Sequence, residues 1–172
     1  MKFYIQKTDL KGLGIYVKES ISAYEVISKI KYIREVTSDT PLSESEKHLQ
    51  DHIHYWPDGR MFIVDEPDTY FNHSCEPNAY IYSANKEYYI IAKADIKSGD
   101  EITVDYEIHT TGGNSSWECR CGAGNCRGLH KWDFFLLPPK EIQNSLPFLD
   151  PWFALVHADK IQNVLNQNLK GS

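Results

Sequence analysis

The 172-residue chain has no long apolar run. Nothing in it approaches the roughly 20 consecutive apolar residues that a membrane-spanning helix needs, so no membrane association is expected. The opening Met1-Lys2-Phe3-Tyr4-Ile5-Gln6 carries no apolar stretch of signal-peptide length. An intracellular protein of the cytoplasm or nucleus is therefore expected, with a secreted effector left open. Basic excess is also missing: 18 Lys and Arg face 24 Asp and Glu, a formal charge of −6. Binding to nucleic acid without sequence preference draws on a basic footprint, so this balance argues against direct nucleic-acid binding and permits a basic partner such as a lysine-rich peptide. Repeats and low-complexity tracts are absent, and the length suits one compact domain with a small appendage.

The first hundred residues read as short strands. Phe3-Tyr4-Ile5, Gly14-Ile15-Tyr16-Val17, Val26-Ile27-Ser28-Lys29-Ile30, Met61-Phe62-Ile63-Val64 and Glu101-Ile102-Thr103-Val104 are rich in β-branched and aromatic residues. Ala79-Tyr80-Ile81-Tyr82 and Glu87-Tyr88-Tyr89-Ile90-Ile91-Ala92 flank a polar break and predict a hairpin. Helix signals are sparser. Ser43-Glu44-Ser45-Glu46 fits a capping box opening a helix to about Asp51. Pro139-Lys140-Glu141-Ile142 and Asp150-Pro151 mark helix starts in the tail, the latter as an N-cap followed by Pro at the first helical position. The fold class expected is mainly β with short helices, closed by a helical tail that packs on the body.

Cysteines are few, but their placement is informative. Cys119, Cys121 and Cys126 form Cys-x-Cys-x4-Cys, and Cys75 lies 44 residues upstream of Cys119. Cysteines two apart do not readily form a relaxed disulfide, whereas they can ligate one metal. Gly122 and Gly124 let the chain fold back so that Cys126 reaches the same centre. Three thiolates leave a tetrahedral zinc one ligand short, and Cys75 is the remaining thiol. A zinc site of four thiolates is closed and structural. The competing readings are two disulfides, in one of three connectivities, or free buried thiols.

Three further segments carry chemistry. Lys11-Gly12-Leu13-Gly14 combines a cation with two glycines that permit close backbone approach to a ligand. Asn72-His73-Ser74-Cys75-Glu76-Pro77-Asn78 is dense in hydrogen-bonding and metal-binding side chains. Gly99-Asp100-Glu101-Ile102-Thr103-Val104-Asp105-Tyr106 ends on an acidic–phenolic pair. In this order, and followed by Cys119-Arg120-Cys121 through Cys126-Arg127-Gly128, the segments closely resemble the SET-domain protein lysine methyltransferases with a post-SET zinc motif. The resemblance covers about residues 2–130.

It implies a β-clip of small curved sheets in which a threaded loop, a pseudoknot, forms the active site. It divides the chain into a SET domain over 2–108, a post-SET zinc-binding segment over 115–130 and a C-terminal helical extension over 135–170. It implies S-adenosylmethionine as cofactor, S-adenosylhomocysteine as product, and a lysine of a protein or peptide, a histone or another protein, as methyl acceptor. By the same resemblance Lys11, Gly12, Leu13 and Gly14 contact the cofactor, Asn72 and His73 hold its amino-acid and adenine portions, and Leu129 lies over the adenine. Tyr106 matches the catalytic tyrosine at the cofactor, and Cys75, Cys119, Cys121 and Cys126 match the ligands of structural Zn2+.

Val104 departs from the family, many of whose members carry Phe or Tyr there. The number of methyl groups transferred therefore stays open, with Tyr80, Tyr82, Tyr88 and Tyr89 as candidates to narrow the lysine channel. Trp132 either covers that channel or packs the tail. The alternative class is a non-catalytic, zinc-stabilised interaction module of SET-like fold.

Overall fold

The computed structural model describes residues 2–8, 11–113 and 115–170. Twelve short strands come in chain order: β1 (Phe3–Thr8), β2 (Gly12–Val17), β3 (Val26–Lys29), β4 (Tyr32–Val36), β5 (Ile53–Tyr55), β6 (Met61–Val64), β7 (Asn72–His73), β8 (Ala79–Ala84), β9 (Glu87–Ala92), β10 (Thr103–Val104), β11 (Trp117–Glu118) and β12 (Leu129–His130). They pair into small sheets: β1-β2, β3-β9-β8, β4-β6-β5, β10-β7 and β11-β12. Every pairing is antiparallel except β10 with β7. Among the described residues three α-helices follow: α1 (Pro139–Ser145), α2 (Pro151–Val156) and α3 (Ala158–Lys170). No helix among the described residues is long and apolar enough to cross a membrane.

The strand alternation is direct in β9, where Tyr88, Ile90 and Ala92 face inward and their neighbours are partly exposed. The β8–β9 hairpin turns on Asn85 and Lys86, at φ 53° and 62°, as the two-residue turn matching strand twist requires. The main core collects Ile15 and Val17 from β2, Tyr88 and Ile90 from β9, and Ile102 and Val104 from the acidic–phenolic segment. Backbone bonds from Ile102 N to Ile15 O (2.8 Å) and Val17 N to Asp100 O (2.9 Å) lay that segment along β2.

Three elements differ from expectation. The capping box at Ser43 and Glu46 opens a 3-10 helix, Glu44–His52, with no buried residue; without an apolar face to bury, the turn gains nothing from lengthening into an α-helix. Strands β4 and β5 carry charged and polar residues that mask the strand pattern, yet they flank β6 and bury Ile63 between them.

The tail is an integral layer. Its own apolar cluster joins Ile108 and Phe134 to Ile142, Leu149, Phe153 and Ile161. Trp152 packs edge-on against Trp56 at 5.5 Å. Asp150, 1% exposed, accepts a hydrogen bond from Ser83 N of β8 (2.7 Å) through one oxygen and caps α2 at Phe153 N (2.8 Å) through the other. Beside it lies His109, 8% exposed, whose ring nitrogens have no hydrogen-bond partner. Burial pushes its pKa down to about 4, against the opposing charges of Asp150 and Asp105.

Two outcomes follow. Asp150→Ala leaves two buried N–H groups without an acceptor and should cost about 2–4 kcal/mol in urea denaturation. His109 titrates near 6.5 when unfolded, so below that pH the unfolded chain binds the proton first and stability falls. Its contribution is constant above about pH 7 and is lost between about 6.5 and 4, at up to about 1.4 kcal/mol per pH unit. His109→Leu should flatten the stability–pH curve in that window, and an unchanged slope would reject the assignment.

Candidate functional site

The parallel pairing of β7 with β10 sets Asn72 opposite Thr103 and His73 opposite Val104. The chain then turns through Asp105 and Tyr106 into a 3-10 turn, Glu107–His109. Asn78 staples the two segments, accepting from Thr103 N (2.9 Å) and donating to Glu101 O (2.8 Å). The Tyr106 phenol donates to Phe71 O at 2.7 Å. Burial pushes its pKa above the usual range, so it is a protonated donor. The Tyr106 backbone N–H donates to His73 Nδ1 at 3.2 Å. Burial drives the His73 pKa down to about 3, so the imidazole is neutral, with its ring proton on Nε2. That atom lies 3.4 Å from Cys75 Sγ.

A cavity of about 220 Å3 opens here, lined among others by Lys11, Asn72, His73, Tyr106 and Trp117. Asn72 donates to Leu13 O (2.9 Å) and to Glu101 Oε1 (2.8 Å), and Lys11 pairs with Glu101 Oε2 at 2.7 Å. A Cβ at Gly14 would stand 2.7 Å from Glu101 Oε1 and 2.9 Å from Asn72 Nδ2, which explains the glycine. Gly12, at φ +77°, opens β2 beside them. Leu129 stands 55% exposed on β12, outside the cavity lining.

All four cysteines are free, and their sulfurs lie within 4.8 Å of one another. Cys75 and Cys119 are 3.9 Å apart. This is far beyond a disulfide bond and close to the ~3.8 Å edge of a tetrahedron with metal–sulfur bonds of about 2.3 Å. Burial pushes the Cys75 thiol up and Cys119 up to about 11. Burial also acts upward on Cys121, but the N–H groups of Cys75 and Ala123 together with the thiols of Cys119 and Cys126 prevail and hold it at about 6. A compact set of four sulfurs, one already near its thiolate form, fits a tetrahedral thiophilic cation.

A buried charge network binds this loop to Tyr106. Arg127 grips Asp105 bidentately at 2.9 and 2.7 Å and lies 3.4 Å from Glu107 and 3.2 Å from Glu141 of α1. Glu107 in turn lies 2.5 Å from His130 Nδ1 and accepts from Lys131 N at 2.8 Å. Trp132 stacks on Tyr106 at 6.2 Å and 10°. It holds φ +52°, and Gly113 is required behind it, because a Cβ there would lie 2.3 Å from the Trp132 Cβ. Trp117 faces both His73 and His130. Its position directly before the cysteine run was the available signal, but a lone tryptophan has no periodicity to read.

None of Tyr80, Tyr82, Tyr88 and Tyr89 stacks on Tyr106 among the described residues. Tyr80 meets Phe148, Tyr88 meets Trp56, and Tyr89 bonds Glu87. Removing the cation of the network while keeping its bulk, Arg127→Met, strands buried Asp105 and Glu107. It should cost about 3–5 kcal/mol in denaturant unfolding.

A family model described as SET domain matches residues 12–107. The chain is 28% identical over 141 residues to human histone-lysine N-methyltransferase 2D, covering 75% of this chain and 2% of that protein. It is 32% identical over 139 residues to Arabidopsis thaliana histone-lysine N-methyltransferase ASHH3, covering 73% of this chain and 37% of the relative. The chain thus spans a small part of the curated relatives it matches. Among solved structures, the methyltransferase domain of human SETMAR superposes at TM-score 0.58 with 19% identity, over 76% of this chain and 58% of that one; this likeness concerns the fold.

Proposed function

The chain belongs to the SET-domain family, and we propose that it transfers methyl groups to the ε-amine of a lysine in a protein. The relatives are named as histone-lysine methyltransferases, and a histone, which would place the work in the nucleus, is the substrate class this reading favours. S-adenosylmethionine, when bound, supplies the methyl group on a sulfonium. The cavity joining Lys11, Asn72, His73 and Tyr106 is the observation that carries the reading. Asn72 and His73 would hold the cofactor's polar portions, with the Lys11–Gly14 backbone alongside and Leu129, exposed on β12, over the adenine. Four thiolates, Cys75, Cys119, Cys121 and Cys126, would hold a structural zinc that fixes residues 117–130 as one wall of the cavity.

Transfer needs a neutral amine in line with the methyl group. A free lysine, with a pKa of about 10.4, must first lose a proton. A dry site beside a cationic centre lowers that pKa. Among the walls here His73 is neutral, Tyr106 is a protonated donor, and the Lys11 ammonium is paired with Glu101. Tyr106 can therefore orient the amine through its phenol without covalent participation, so that positioning and electrostatics supply the rate.

Tyr106→Phe should keep cofactor affinity in calorimetry while methyl transfer to a lysine-rich protein drops about 100-fold or more; full activity would remove Tyr106 from this role. Chelation should release zinc, loosen residues 117–130 in hydrogen exchange and weaken cofactor binding. Unchanged cofactor affinity after metal loss would sever that link.

A further inference from the structure

Two sets of four donors meet at the thiol cluster. Cys75 and Cys119 belong to both, joined on one side by Cys121 and Cys126 and on the other by His73 and His130, with the ligand atoms of each set within 4.8 Å of one another. The two histidines are not equivalent. His73 accepts the Tyr106 N–H at Nδ1, so its Nε2 bears the proton and can only donate toward Cys75. In His130, Nδ1 faces the Glu107 carboxylate at 2.5 Å. That contact calls for the proton on Nδ1 and leaves the Nε2 lone pair free.

This free nitrogen lies 3.4 Å from Cys75 Sγ. The nitrogen–sulfur edge of a tetrahedral zinc site, with bonds of about 2.1 and 2.3 Å, spans about 3.6 Å. A carboxylate on the far nitrogen is the support that ligating histidines ordinarily have. Trp117 stacks on the ring at 4.6 Å and 17°, and His130 is 1% exposed, so its orientation is fixed. The four cysteines differ in burial too: Cys75 and Cys119 are buried, whereas Cys121 and Cys126 are partly exposed.

We propose that His130 is a reserve ligand of the metal centre. Cys75 and Cys119 form the fixed edge, and His130 Nε2 takes the metal when the Cys126 or Cys121 thiolate is lost by substitution or alkylation. A metal–sulfur bond gives way to a metal–nitrogen bond, and no electrons are transferred. The proposal rests on the zinc reading above and concerns a residue outside the four-thiolate set.

The test uses the full chain loaded with Co(II) as a spectroscopic probe, with metal content measured by mass spectrometry. Wild type and His130→Ala should each bind one ion with the charge-transfer bands of four thiolates. Cys126→Ser should keep one ion, with weaker thiolate bands and ligand-field bands at higher energy. Adding His130→Ala to Cys126→Ser should weaken binding at least tenfold beyond the product of the single effects. Equal cobalt affinity of Cys126→Ser with and without His130 would overturn the proposal.

Zinc X-ray absorption of Cys126→Ser alone decides the matter even if the double variant fails to fold. Three sulfurs with one imidazole nitrogen support a reserve ligand, and three sulfurs with one oxygen overturn it. Folded wild type that takes up no cobalt would instead overturn the zinc reading, and this proposal with it.

Discussion

The buried guanidinium of Arg127 is the contact through which the parts of this molecule hold one another. Charges taken out of water cost several kcal/mol each unless paired and hydrogen-bonded, and here one cation answers Asp105, Glu107 and Glu141 at once. The three carboxylates sit on the segment that ends in Tyr106, on the turn after it, and on the first tail helix. Arg127 directly follows Cys126, and its backbone N–H also donates to Cys75 Sγ at 3.4 Å. The thiol loop, the tyrosine segment and the tail therefore cannot move independently without exposing or orphaning a charge.

Around this network the cavity walls carry a neutral imidazole and a protonated phenol, with the Lys11 ammonium paired to Glu101. His73 is kept neutral by burial, and its tautomer is set by the Tyr106 backbone. Tyr106 is kept protonated, with its phenol already satisfied by Phe71 O. Such a wall favours a neutral amine over an ammonium, because desolvation penalises the charged form. The strained φ of Trp132, accommodated by Gly113, fits the tendency of backbone strain to collect at functional sites.

Much of this was legible in the residues themselves. Richness in β-branched and aromatic residues located most strands, the polar break located the β8–β9 hairpin, and the Asp150-Pro151 pair located α2. The cysteine spacing pointed to one four-sulfur cluster, and the structure brings those sulfurs together. The reading failed where local pattern was weak: β4 and β5 carry polar residues, and the Ser43 capping box opens only a 3-10 turn because that segment buries no apolar face.

The sequence by itself determined which groups could do chemistry, because thiols, an imidazole, a phenol and close-packed glycines have properties that do not depend on the fold. Only tertiary structure decided which of them meet. It set the Glu107 carboxylate against His130 Nδ1 and the Tyr106 N–H against His73 Nδ1, placed Trp117 and Trp132 beside Tyr106, and gave Asp150 a role in β8 as well as α2. The reason is that a tautomer, a ring stack or a buried ion pair is fixed by partners far apart in the chain. Such long-range pairing leaves no periodic trace in the order of residues.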